Sequence, residues 1–156
     1  MNWRQWVVLL LAACTAFPAL AARKPEPHTV RDPHYGEVLF YFYQLKYFTA
    51  LSRLMTAQHF GQFQHHVEEA ELLRGGMLLS YGVHLEAGRI FERLIADGVA
   101  PAVRNRAWFY LAKIRYQRGY LPEAEQALAS IEGSLPPELD GERQILQALL
   151  LMQRGE

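Results

Sequence analysis

His59, His65 and His66 lie close together, and neighbouring histidines are the raw material of a zinc site. Their spacing works against one. A metal-binding pair on a helix stands at i and i+4, whereas His65 and His66 are adjacent and point about 100° apart, and no His-Glu-x-x-His pattern is present. They read as solvated residues at a helix start. Glu68, Glu69 and Glu71 could be paired carboxylates for acid-base work, yet they fall in the first turns of a helix, where the dipole favours acidic groups. Gly75-Gly76 sits mid-helix with no strand before it, so it is not a phosphate cradle, and no Ser-His-Asp context exists. The one cysteine, Cys14, lies in the apolar N-terminal stretch. The expectation is a protein that is not an enzyme, with no catalytic residue, no metal and no cofactor.

The elements that carry these residues recur. Ala50, Ala87 and Ala124 stand 37 residues apart in similar settings, and the same step relates Leu54, Phe91 and Leu128, and Gly82 and Gly119. Recurrence at this spacing signals stacked supersecondary units, and such arrays mostly bind other molecules. A length of 156 residues allows one domain, and a formal net charge of +0 removes the basic footprint that a general nucleic-acid binder needs, so no nucleic-acid partner is expected.

Residues 1–22 follow a different rule. Arg4 is their only charge, Val7 to Ala13 form an apolar run, Pro18 interrupts, and Ala19-Leu20-Ala21-Ala22 supplies small residues before Arg23-Lys24. That is a secretory signal layout, cleaved after Ala21 or Ala22, and it predicts an exported, periplasmic protein. Within it, Leu11-Ala12-Ala13-Cys14 resembles a lipobox, which leaves open a lipid-anchored envelope form with Cys14 acylated; a membrane partner enters only by that route. Residues 23–31, with Pro25 and Pro27, read as a flexible leader.

From Asp32 onward the chain alternates helices with short breaks. Asp32-Pro33 reads as a helix start in which the carboxylate caps its own helix. Helices are expected from there to about Gln44, then over Lys46–Ala57, His65–Tyr81, Leu85–Ala96, Pro101–Arg118, from Pro122 to about Glu132, and over Glu138–Gln153, with Gly82 and Gly119 as left-handed stops. No strand signal emerges.

The segment from Trp108 to Pro136 resembles the tetratricopeptide repeat, on Trp108, Leu111, Ala112, Gly119, Leu121, Ala124, Leu128, Ile131 and Pro136. Arg115 stands where that family has an aromatic. Gly75, Leu78, Gly82, Ala87 and Phe91 carry a degenerate copy, and Val38, Tyr41, Ala50 and Leu54 a fainter one. The resemblance implies an all-α fold of stacked antiparallel helix-turn-helix repeats, an α-solenoid of about three and a half units over 32–63, 65–98, 101–135 and an incomplete 137–156. Small residues such as Ala112 and Ala124 would lie where helices cross closely, with Trp108 and Leu128 between units. The last helix would leave Ile145, Leu146, Leu149, Leu150 and Met152 without cover, as in a chain cut short.

In that family the first helix of each unit lines a concave groove. The resemblance puts Arg106, Phe109, Lys113, Tyr116 and Gln117 there from the third unit, Leu72, Gly76, Leu79 and Ser80 from the second, and Tyr35, Leu39, Phe42 and Tyr43 from the first. It implies a non-catalytic scaffold or assembly adaptor of the bacterial envelope that holds a protein or peptide partner on this face. The alternative is the accessory arm of a cell-wall or polysaccharide-processing enzyme whose catalytic part is absent from this chain.

Overall fold

Glycine and proline divide the chain into seven helices in the computed structural model, which describes residues 29–155; among them there is no strand. They are α1 (Pro33–Tyr43), α2 (Tyr47–His59), α3 (Val67–Ser80), α4 (His84–Ala96), α5 (Pro101–Gln117), α6 (Leu121–Ala129) and α7 (Pro137–Arg154). The fold is all-α and repeat-like. Residues 1–22, on which the expectation of an export signal rests, with Cys14, and residues 23–28 of the expected leader lie outside the described residues, as does Glu156.

Four helix ends share one hydrogen-bonding pattern, in which a residue with positive φ follows the helix and two backbone N–H groups return to its last carbonyls. At the end of α3 the stop is Gly82 (φ 76°), with Gly82 N–H donating to Leu79 O and Val83 N–H to Leu78 O, both at 2.9 Å. Gly61 and Gly119 repeat this after α2 and α5. After α1 the same pair of bonds forms, from Leu45 to Phe42 O (2.9 Å) and from Lys46 to Tyr41 O (3.0 Å), but the left-handed residue is Leu45 (φ 61°). Leu45, Gly82 and Gly119 stand at the 37-residue step, so the first unit keeps the turn and departs from its glycine.

Consecutive helices pair closely as α1 with α2, α3 with α4 and α5 with α6, while α3 also meets α5, and α5 meets α7. The recurring positions share an environment. Ala50, Ala87 and Ala124 are fully buried, and Leu54, Phe91 and Leu128 lie in the three apolar clusters of the core. Trp108 and Tyr110 pack against two of these clusters at once, which joins the middle of the molecule to its C-terminal end. Gly75 marks the closest approach of α3 and α4: a Cβ there would come within 2.6 Å of the Phe91 ring.

Polar side chains tie loops to helices. Asn105, buried on α5, donates to Glu132 O (2.6 Å) and accepts from Glu132 N–H (3.2 Å). It thereby captures the chain after α6, which ends at Ala129, some residues before the expected Glu132. One step of 37 earlier, the Glu68 carboxylate accepts from Ala100 N–H at 3.3 Å in the loop after α4. Arg74, one 37-residue step before Leu111, is ion-paired with Glu71 (3.0 Å) and Glu86 (3.8 Å).

Three expectations are corrected. Asp32 makes no side-chain bond to the start of α1; its Oδ2 accepts from the backbone N–H groups of Gln64 (3.2 Å), His65 (2.8 Å) and His66 (2.8 Å), at the entrance to α3. Gln64 and His65 lie in the α2–α3 loop and His66 is the N-cap residue of α3, so the carboxylate pins the entry to a different helix from the one it precedes in sequence. His66 is not simply solvated. Its ring stacks on Tyr35 at 4.8 Å and its Nε2 accepts from Arg31 N–H at 3.1 Å. The apolar set of α7 divides: Leu146 and Leu150 are buried in the C-terminal cluster against α5 and α6, whereas Ile145, Leu149 and Met152 are exposed.

Candidate functional site

The odd-numbered helices enclose a cleft of about 630 Å³. Helix α1 gives it Tyr35, Leu39, Phe42 and Tyr43, with Tyr47 from the start of α2; α3 gives Glu69, Leu72, Gly76, Leu79 and Ser80; α5 gives Arg106, Tyr110, Lys113 and Gln117; and α7 gives Glu142. The wall on the α1 side is aromatic, while the α5 and α7 side carries charge. Gly76 opens space between them, since a Cβ there would meet nothing within 4 Å.

The α5 stripe follows from helix geometry. Positions 106, 110, 113 and 117 fall at steps of four, three and four, within about 60° of one another around the axis. Phe109 and Tyr116 sit some 60–80° further round, toward α7. Thus Arg106, Lys113, Gln117, Leu39, Phe42 and Leu79 are brought together in this cleft, whereas Phe109 and Tyr116 line a smaller groove of about 210 Å³ between α5 and α7, with Ile145, Leu146 and Leu149. Phe109 is only 1% exposed and belongs to the core beside Ala112, Ala124 and Leu128.

Charge in the cleft is partly internal. Lys113 Nζ contacts Glu142 at 2.7 Å and lies 6.0 Å from the Phe109 ring centroid. Arg106 instead turns back on its own helix, donating from Nε to Ala102 O at 3.3 Å, and no carboxylate among the described residues pairs with it. Burial pushes the Tyr35 hydroxyl up to about 12; the charge of Glu69 adds to this and Arg106 opposes it. Tyr110 is raised too, by burial first, with Arg106 again working against the shift. Both phenols therefore keep their protons at ordinary pH.

No nucleophile stands beside a base in this cleft, and no group of three or more His, Cys, Asp or Glu side chains that could hold a metal ion occurs among the described residues. What the arrangement offers is apolar contact on aromatic faces, neutral hydroxyls, and charges of both signs at fixed places. Sequence reasoning missed Tyr110, Tyr47, Glu69 and Glu142. The stripe through 106, 113 and 117 already contained the signal for Tyr110. Glu142 required knowing that α7 returns beside α5. Comparison with known proteins found no matching family model, curated protein or solved structure.

Proposed function

We propose that this chain is a tetratricopeptide-type helical array of about three and a half units that holds a segment of a partner protein in the α1–α3–α5 cleft and catalyses no reaction itself. The observation that carries the reading is the cleft: the first helix of each hairpin contributes to one continuous concavity, with aromatic side chains on one wall and a guanidinium, Arg106, that has no carboxylate partner among the described residues. Extended and helical peptides bind through apolar anchors and a few fixed polar contacts, which is what this lining supplies. The signal layout of residues 1–22 supports a partner in the cell envelope.

A peptide-display library panned against the full chain tests this. Selected peptides should lose capture by the Gly76→Leu variant, whose side chain would fill the open floor of the cleft, and keep it with Gly141→Leu, an equally uncrowded glycine on the exposed face of α7. Peptides that bind Gly76→Leu as well as the parent chain would refute the cleft as the site.

A further inference from the structure

The other end of the first hairpin has a chemistry of its own. Phe40, Tyr43, Leu45 and Phe48, all within two helical turns of the α1–α2 connection, are 62%, 77%, 71% and 74% exposed. Large apolar side chains are ordinarily scattered singly over a surface, and a cluster of them marks an interaction site. Phe40, Leu45 and Phe48 belong neither to the core face of this hairpin, which is made by Val38, Ala50, Leu54 and Ala57, nor to the cleft, which Tyr43 alone of the four also borders. Leu45 is more telling than the rest. It holds the left-handed position that glycine holds at Gly82 and Gly119, so the fold bears a backbone strain in order to present a leucine at the apex.

The surrounding sequence is equally selective. The chain has sixteen acidic residues, and none of them falls between Glu37 and Glu68. That segment contains Lys46 at the apex, which has no ion-pair partner among the described residues, and Arg53, which contacts Glu37 at 3.6 Å. An apolar, aromatic apex with a lysine that has no ion-pair partner among the described residues, in a stretch of chain that carries no carboxylate, is complementary to an anionic lipid surface, where aromatic rings settle at headgroup level and a lysine gains from the negative potential.

We propose that the α1–α2 turn inserts Phe40, Leu45 and Phe48 into the interface of an anionic bilayer, with Lys46 at the headgroups. The contact is independent of any lipid on Cys14. It would fix the molecule by the hairpin apex and leave the cleft open to a second partner.

Depth-resolved quenching tests this in the full chain carrying Cys14→Ser, with a single fluorophore on Gln44→Cys at the apex. Control labels go on Gln62→Cys, near the N-terminal end of α1, and on Asp97→Cys, at the α4–α5 turn. On vesicles of phosphatidylethanolamine and phosphatidylglycerol doped with nitroxide lipid, quenching at position 44 should be several times that at 62 or 97. It should fall when phosphatidylcholine replaces phosphatidylglycerol, and vanish with Phe40→Ser plus Phe48→Ser. Leu45→Gly should reduce it while leaving the helical spectrum intact, which separates loss of contact from loss of fold. No quenching at 44, equal quenching at all three labels, or quenching that survives the double serine variant would overturn the proposal. So would a concentration-dependent emission shift at 44 without lipid, which would assign the apex to a second copy of the chain.

Discussion

The first and third hairpins occupy equivalent places in the 37-residue step and differ in almost everything that faces outward. Both bury an alanine at the helix crossing, Ala50 in one and Ala124 in the other, and both close their first helix with the same pair of backbone bonds. Yet α1–α2 ends that turn in Leu45 amid exposed aromatics, whereas α5–α6 ends it in Gly119. Their loop clamps differ as well. The first hairpin is pinned to the α2–α3 connection by the carboxylate of Asp32, and the third holds its own exit loop by the amide of Asn105. Interior positions thus follow the repeat because packing and backbone geometry demand it, while the outer positions of each hairpin are free to take on separate work.

The middle hairpin sets the scale against which the two ends are judged. Phe91 is fully buried on α4, stacked on Tyr110 of α5 at 5.2 Å, and touches Gly75 of α3. Phe91→Ala should cost roughly 3–5 kcal/mol in chemical denaturation, since it removes a large side chain from a packed junction. If the ends were folding independently of the middle, helical signal would be lost in two steps rather than one.

Gly75→Ala should cost about 1–3 kcal/mol, because its Cβ would overlap the Phe91 ring and a packed core tolerates added volume poorly. The cost should shrink in a Phe91→Leu background, where the ring is gone. Equal penalties in both backgrounds would mean that the crossing is not what fixes the glycine.

Acid should separate the two clamps locally. Burial works to raise the pKa of Asp32, but the three backbone donors, with nearby His65, outweigh it, and the carboxyl titrates below its ordinary 3.8. A folded-state pKa below the unfolded one stabilises above that ordinary value, and the contribution is lost as pH falls through the folded pKa. Asn105 does not titrate. Hydrogen exchange at Gln64, His65 and His66 should therefore accelerate below about pH 4 while Glu132 stays protected, and in Asp32→Asn that acid step should be absent. Simultaneous loss at both loops would show that the clamps are not separate.

Exchanging the turn residues tests the comparison directly. Leu45→Gly should stabilise by roughly 1 kcal/mol by relieving a left-handed leucine, and Gly119→Leu should destabilise by a similar amount. Opposite signs at equivalent positions are the signature of one backbone geometry bearing two different demands. A loss of stability in Leu45→Gly would mean that the leucine side chain contributes to the fold.

Much of this was legible in the sequence because the helices are punctuated by local signals. Gly82, Gly119, Pro101 and Pro137 act within a turn of where they stand, and helix limits followed to within one to three residues. The cleft was half legible: Arg106, Tyr110, Lys113 and Gln117 share a stripe that spacing alone reveals, but assigning Phe109 and Tyr116 to a separate groove requires knowing on which side α7 lies. Asp32 was misread for the same reason. Its partners are more than thirty residues away, and a local rule assigns a capping carboxylate to the nearest helix. The break at Leu45 is visible only once the turn geometry is known, since a leucine carries no turn signal.

The smallest effect contrasts two neighbours. Gly75 and Gly76 are adjacent in α3, and by helix propensity alone each should be improved by alanine, because glycine in a helix interior is destabilising by about 0.5–1 kcal/mol. At Gly76 that gain should be realised, since the added Cβ would point into open cleft and touch nothing within 4 Å. Gly76→Ala is therefore expected to raise stability by about 0.5–1 kcal/mol while Gly75→Ala lowers it. The same methyl group narrows the cleft only slightly, so peptide capture should weaken far less than with Gly76→Leu. If Gly76→Ala gained stability and Gly76→Leu also kept full capture, the open floor would serve neither packing nor binding, and the site would have to be sought on the α5–α7 groove instead.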